Sequence, residues 1–206
     1  VKITYFGHSC FKLSENGFEL LIDPFGDVPG YENVHTLAHA VLCSHEHHDH
    51  NAVEGVKCYP YKAENPFGIT MMQTYHDKNM GKDRGENLVH IITAEGKKAV
   101  HLGDLGHILN DKQIGYVKGC EVLMIPVGGT YTLDCTEAWE LIHKINPKIV
   151  IPMHYRNGKY GYEVLQSIAD FVKNADRRLV VLPQAEFELP EEENIILIPS
   201  VYEYKK

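Results

Sequence analysis

Apolar and polar positions alternate through the first half of the chain in short runs that end at turn residues. Residues 1–6, 9–13 and 18–22 read as three strands of an antiparallel meander. Glu15-Asn16-Gly17 supplies a hairpin turn, and Asp23-Pro24 ends the third strand. Further strands are predicted at 40–43, 57–59, 69–75, 88–93 and 99–102, the last two joined by a turn at Ala94-Glu95-Gly96-Lys97. From residue 122 the pattern changes to strand alternating with helix. Strands are predicted at 122–125, 148–151 and 179–182. A helix capped by Asp134 or Thr136 runs to Ile145 and stops at Asn146-Pro147. A second helix is predicted over 161–175, with Val164, Leu165, Ile168, Phe171 and Val172 on one face. The run Ile195-Ile196-Leu197-Ile198 predicts a closing strand. Two strand-rich sets, each with helices, predict two sheets packed face to face with helices outside.

The chain has 206 residues, no internal repeat and no Gly/Ser/Pro linker, so a single domain over 1–206 is expected. A net charge of −8 does not favour nucleic acid as a partner. No apolar stretch approaches the ~20 residues of a membrane span, which argues against a membrane partner. The first six residues read as strand and not as a signal peptide. The five cysteines are odd in number and form no C-x-x-C pair, which predicts reduced thiols and a cytoplasmic setting.

The chemistry concentrates in His45-Glu46-His47-His48-Asp49-His50, which directly follows the apolar run 40–43. Imidazole nitrogen and carboxylate oxygen suit zinc and similar divalent ions, and a loop can aim alternate residues at different sides of one cavity. A histidine tag would sit at a terminus, not between core-forming segments. Three later segments each place a candidate ligand just after an apolar run: His76, Asp104 and His154. The stoichiometry then closes. One ion takes His45, His47 and His76. A second takes Asp49, His50 and His154, and Asp104 bridges both. Each ion keeps an open position, as catalysis requires.

Beyond these seven, His8 lies in a loop between two strands, as a proton donor, a substrate contact or a hydrogen-bonded loop residue. His107 is either substrate-facing or structural. Lys82 and Arg84, in a polar glycine-bearing loop, could hold an anionic substrate group or simply be solvated. Val127-Gly128-Gly129-Thr130 offers backbone N–H groups to a substrate, or packs tightly. Alternation points His48 away from the ligands, and His101 is expected to be structural. His35, His39, His90 and His143 belong to no motif.

With these segments assembled, the chain resembles the metallo-β-lactamase superfamily, which carries H-x-H-x-D-H, a later His, a bridging Asp and a final His in this order. The likeness rests on Gly7-His8-Ser9-Cys10-Phe11, Ile22-Asp23-Pro24, residues 44–51, His101 through His107, Ile125 through Gly129, and Pro147 through Tyr155. It is closer to compact prokaryotic metal-dependent hydrolases related to the ascorbate-6-phosphate lactonase group. The resemblance implies a four-layer αββα sandwich with the site at one sheet edge, and makes Asp23 a structural acceptor and not a ligand. Oxygen-reducing diiron relatives usually carry Glu at the position of His47, which argues against a redox role.

The expected activity is metal-dependent hydrolysis of a small, anionic lactone or phosphoester. Two divalent ions, zinc first and manganese, iron or nickel as alternatives, would hold a bridging hydroxide for the attack, with Asp49 handling its proton. A nuclease or phosphodiesterase of the same superfamily is one alternative, although no basic arm is evident. A metal-binding protein without turnover is another. The oligomeric state is not readable from the sequence.

Overall fold

The structure, a computed structural model, describes residues 1–204. The N-terminal part supplies β1 (Lys2–Gly7), β2 (Cys10–Glu15), β3 (Phe18–Ile22), β4 (Thr36–Ala38), β5 (Ala40–Leu42) and β6 (Val56–Cys58). An antiparallel run of β7 (Gly68–Tyr75), β8 (Glu86–Ala94) and β9 (Lys97–His101) follows. Then come α1 (Asp111–Val117), β10 (Val122–Pro126), α2 (Cys135–Ile145), β11 (Ile149–Met153), α3 (Ile168–Val172), β12 (Arg178–Leu182), β13 (Glu186–Glu188) and β14 (Ile195–Pro199).

Two main sheets result. One has the order β13-β1-β2-β3-β5 and the other β12-β14-β11-β10-β9-β8-β7, while β4 and β6 pair separately. Their facing sides bury one apolar layer, with Ile3, Phe11, Leu13, Leu20 and Ile22 against Val122, Met124, Ile151 and Leu197. The opposite side of the seven-stranded sheet buries Leu123, Ile125 and Val150 beneath α1, α2 and α3. The mixed α/β sandwich expected from the sequence is present. Among the described residues, however, the outside of the five-stranded sheet is covered by irregular chain carrying Phe25, Val28 and Val34, not by a helix.

Strand direction positions the site. β1, β3 and β5 run the same way, since β1–β2 and β2–β3 are antiparallel and β3–β5 is parallel. By the same reasoning β7, β9, β10 and β11 share one direction. The chain therefore leaves both sheets along the edges where carboxyl ends of strands collect, the usual place for a ligand in such sheets.

Four elements differ from the sequence pattern, the first being the short strand β4, which has no counterpart among the predicted strands. Helix α1 was not anticipated; Asn110 starts it with a capping box, its side chain accepting from the Gln113 backbone while Gln113 bonds back. The helix predicted over 161–175 shrinks to Ile168–Val172. Gly161, at φ 85°, turns the chain, and Gln166 bonds the Gly128 carbonyl (2.7 Å) and, through its own carbonyl, the Arg156 amide (3.0 Å). Those tertiary bonds outcompete local helical ones, so Val164 and Leu165 do not continue the helical stripe. Strand β13 was too short and too charged to read. For α2, Asp134 and not Thr136 is the cap, accepting from Glu137 N at 2.8 Å.

The helical layer is anchored by Trp139, stacked on Phe171 at 4.9 Å between ring centroids and donating its indole N–H to the Phe171 carbonyl at 3.0 Å. Trp139→Ala is expected to lower the unfolding free energy by about 3–5 kcal/mol, measured by denaturant titration. Trp139→Phe should cost clearly less, because the stacking partner survives.

Candidate metal centre

Strand β5 ends at Leu42, and Cys43-Ser44 lead into the histidine-rich loop. Because β3 pairs β5 in parallel with Ile22 opposite Leu42, the next residue, Asp23, arrives beside Ser44. Asp23 is fully buried and accepts three hydrogen bonds: from Ser44 N (2.7 Å), from Ser44 Oγ (2.6 Å) and from His50 Nδ1 (2.7 Å). Burial pushes its carboxyl up, but the His50, His101 and His90 rings outweigh this and hold it well below the carboxylate range. Asp23 is thus an acceptor beneath the loop, as the resemblance implied.

The other segments arrive from the seven-stranded sheet. His76 follows β7, Asp104 lies three residues beyond β9, and His154 follows β11. Buried Asn87, on β8, ties two of these together: its amide donates to Thr74 Oγ1 (2.8 Å) and to the Leu102 carbonyl (2.9 Å) and accepts from Asp104 N (2.9 Å). Gly103, at φ 58°, sits so close that a Cβ would lie 2.3 Å from Asn87 Oδ1 and 2.5 Å from Ser44 Cβ.

All seven predicted ligands converge. Donor atoms of His45, His47 and His76 lie within 4.8 Å of one another, as do those of His8, Asp49, His50 and His154, and those of His45, His50 and Asp104. Asp104 faces both main groups. Its Oδ2 is 3.1 Å from His76 Nε2 and 3.2 Å from His154 Nε2, while its Oδ1 is 3.2 Å from His50 Nε2. Two ligand atoms on one tetrahedral ion, each about 2.1 Å from it, stand roughly 3.4 Å apart, so these spacings fit a shared ion.

The rings are also oriented for it. Nδ1 of His50 is used by Asp23, Nδ1 of His45 by Ser44 Oγ (2.9 Å) and Nδ1 of His76 by the Tyr131 carbonyl (2.9 Å). Each leaves Nε2 facing inward, the arrangement that fixes tautomer and direction in metal-binding histidines. Nε2 of His45 and His50 and Oδ1 of Asp104 are buried without a hydrogen-bond partner of their own. Leaving such atoms unpaired costs about 1–3 kcal/mol each, a cost that ion binding removes. Burial pushes the His45 ring down to about 3, keeping it in the neutral, ligating form. At His50 burial acts the same way but is outweighed by Asp104 and Asp23, which raise it. The centre is built around positive charge, and the donor set fits divalent ions.

A cleft of about 340 Å³ opens over this cluster, lined by His47, Asp49, His76, Asp104 and His154 on one side. Arg84, Tyr131, Tyr162, Val164 and Leu165 line the rest. Arg84 is placed by Asp77, whose carboxylate accepts from the backbone of Asn79, Gly81, Asp83 and Arg84 at 2.7–3.0 Å and folds the loop around itself. The Arg84 guanidinium stacks 3.8 Å from the Tyr131 ring centroid, and its Nε is buried with no partner. Burial, with the charges of Asp49 and Asp104, raises the Tyr162 phenol to about 12, so it remains a donor.

The remaining candidates do not line the cleft. Lys82 is exposed and does not line the cleft. His107 spends its ring on backbone, accepting from Tyr75 N (3.3 Å) and donating to the Ile108 carbonyl (3.0 Å). His8 is wholly buried beside Asp49, with Nε2 3.4 Å from Asp49 Oδ2. His48 is exposed and pairs with Glu54, and His101 donates to the Ser9 carbonyl (2.8 Å). At Gly128 a Cβ would meet the His154 carbonyl at 2.1 Å, so this turn serves close packing. Sequence reasoning missed Asn87, Tyr131 and Tyr162. Asn87 falls in the polar loop 81–87, just before the predicted strand, and nothing local marks it as a crosslink; the structure places it on β8. Tyr162 fell inside the predicted helix.

Residues 2–154 match the model of the beta-lactamase superfamily domain. A metal-dependent hydrolase of Desulforamulus reducens is 28% identical over 192 residues, covering 75% of this chain and 84% of the relative. One from Methanospirillum hungatei is 26% identical over 224 residues, covering 92% and 99%. Among solved structures, a Thermotoga maritima protein assigned to the Zn-dependent hydrolases of the metallo-beta-lactamase superfamily superposes with a TM-score of 0.72 at 34% identity, covering 96% of this chain and 98% of that one.

The Asp23 crosslink makes a direct prediction. Asp23→Ala leaves Ser44 N, Ser44 Oγ and His50 Nδ1 without their acceptor, so metal affinity should fall about 10–100-fold. Competition with a chromophoric chelator measures this. An unchanged affinity would show that the loop holds its shape without Asp23.

Proposed function

The chain belongs to the metallo-β-lactamase superfamily, as a metal-dependent hydrolase, and from that premise we propose that it binds two divalent ions and hydrolyses a small anionic lactone or phosphoester. The observation that carries the reading is the single carboxylate, Asp104, facing two separate groups of ligand atoms on the floor of a cleft whose wall carries Arg84. His45, His47 and His76 would hold one ion and Asp49, His50 and His154 the other, with Asp104 between them. Zinc suits these donors, with manganese, iron and nickel as alternatives. When bound, the ions supply Lewis acidity, acidifying a water and neutralising charge that develops on the attacked group.

The chain's own residues do the rest. Asp49 borders the cleft and is held ionised: burial raises it, but its His8 and His50 neighbours outweigh that. It is the group that accepts the proton of the attacking water. Arg84, braced on Tyr131 in the cleft wall, offers a fixed positive charge to a carboxylate or phosphate of the substrate. Tyr162 remains protonated and can donate to a substrate oxygen. Val164 and Leu165 add apolar surface to the cleft wall. The relation of the compact hydrolase branch to the ascorbate-6-phosphate lactonase group, which the sequence resemblance implies, is the reason to try sugar-acid lactones first.

Protein purified without chelator should contain about two ions per chain by elemental mass spectrometry. His45→Ala should lose at least one ion and most activity against a panel of sugar-acid lactones and phosphodiesters. Fewer than one ion bound, with activity retained in His45→Ala, would defeat the reading. Arg84→Ala should raise KM for anionic substrates about 10–100-fold with a much smaller change in kcat, as expected for loss of a charged hydrogen bond worth about 1.5–3 kcal/mol. Equal effects on neutral and anionic esters would remove Arg84 from substrate binding.

A further inference from the structure

His8 is outside the seven assigned ligands, yet its setting is unlike that of an ordinary loop histidine. It leaves β1 where the register with β2 shifts, on two left-handed residues in succession, Gly7 at φ 113° and His8 at φ 51°. A non-glycine residue in this region is strained and persists only when its surroundings enforce it. Here the His8 carbonyl accepts from His154 N (3.1 Å) and from the Tyr5 hydroxyl (3.2 Å), and Gly7 lies flat against Tyr31. The turn is stapled to the backbone of a ligand histidine, and the His8 ring is driven inward.

The ring arrives with nothing to bond. It is completely buried, and neither nitrogen has a hydrogen-bond partner. Its Nε2 approaches Asp49 Oδ2 at 3.4 Å without the alignment of a hydrogen bond. The ring centroid lies 4.4 Å from that of His154 and 5.3 Å from that of His50. One donor atom from each of His8, Asp49, His50 and His154 falls within a mutual 4.8 Å. His8 does not line the cleft, which separates it from a substrate contact.

We propose that His8 is an additional protein ligand to the ion held by Asp49, His50 and His154. The inference rests on the two-ion reading above. It makes the two positions unequal. The position of His45, His47 and His76 has three residues of its own and a share in Asp104. The position of His8, Asp49, His50 and His154 has four and the same share. Counting the share in Asp104, the second position has five protein ligands and the first has four, so the first keeps more room for water or substrate. The second ion is therefore the resident one, bound more tightly and released more slowly. The first is the position where substrate exchanges.

Cadmium tests this without reference to turnover. The full-length chain, labelled with nitrogen-15 in histidine and stripped of metal, receives two equivalents of cadmium-113, and couplings between cadmium and imidazole nitrogen are counted by NMR. The expected result is two cadmium resonances, each coupled to three imidazoles: His45, His47 and His76 on one, and His8, His50 and His154 on the other. His8→Gln should remove one coupling from the second resonance only and weaken that ion by at least tenfold. Two bound ions with only two imidazoles on the second would overturn the role of His8, and so would an unchanged spectrum in His8→Gln. Uptake of a single cadmium would instead defeat the two-ion reading itself. If His8→Gln does not fold, the coupling count of the unaltered protein decides alone.

Discussion

The buried Asp23 carboxylate is the constraint on which the centre depends. One side chain holds the start of the ligand loop through Ser44 N and Oγ and its end through His50 Nδ1. Ser44 Oγ passes the restraint to His45 Nδ1. A carboxylate can serve several donors at once because it has about four acceptor positions and no proton to place. Its own position follows from the sheet, since parallel pairing of β3 with β5 puts residue 23 beside residue 44. A one-residue slip there would turn every side chain of the strand over and separate the acceptor from its donors.

A similar logic runs through the other sheet. Asn87 bonds the chain beside His76 and the amide of Asp104, and Gly103 lets that turn lie against both Asn87 and Ser44. The two sheets are also joined directly at the site, by Leu88 N to the Ser44 carbonyl (2.8 Å) and His154 N to the His8 carbonyl (3.1 Å). Ligands from distant segments are thus held by backbone that has little freedom, which is how a centre keeps its geometry before an ion arrives. The cleft wall is made differently. Asp77 wraps a loop around its carboxylate to present Arg84, and the stretch before α3 gives up helical bonds to present Tyr162 and Leu165.

Much of this was legible in the residues. The strands read from alternation are present within a few residues, β3 to the residue. The seven candidate ligands could be named because each follows an apolar strand, and strand ends are where a parallel arrangement collects side chains. Helix 161–175 was misread because its apolar spacing fits a helical face, while the bonds that break it come from Gly128 and Arg156. Arg84 was one of several charged residues in a polar loop. Its separation from Lys82 depends on Asp77 and Tyr131, which no spacing along the chain connects. Asn87 and Tyr162 carried no local signal.

The order of residues along the chain carries the chemistry available and the order of its delivery: which residues can hold an ion, and which strand carries each. Local pattern suffices there, because burial of alternating side chains and the donor character of His and Asp are properties of short segments. Tertiary structure alone decided the direction each group faces. The inward Nε2 atoms, Asp104 facing His50, His76 and His154, the burial of the unpartnered His8 ring and the seating of Arg84 on Tyr131 all depend on contacts between segments far apart in the chain. Those contacts depend on sheet register and close packing, which arise only when the whole core forms at once.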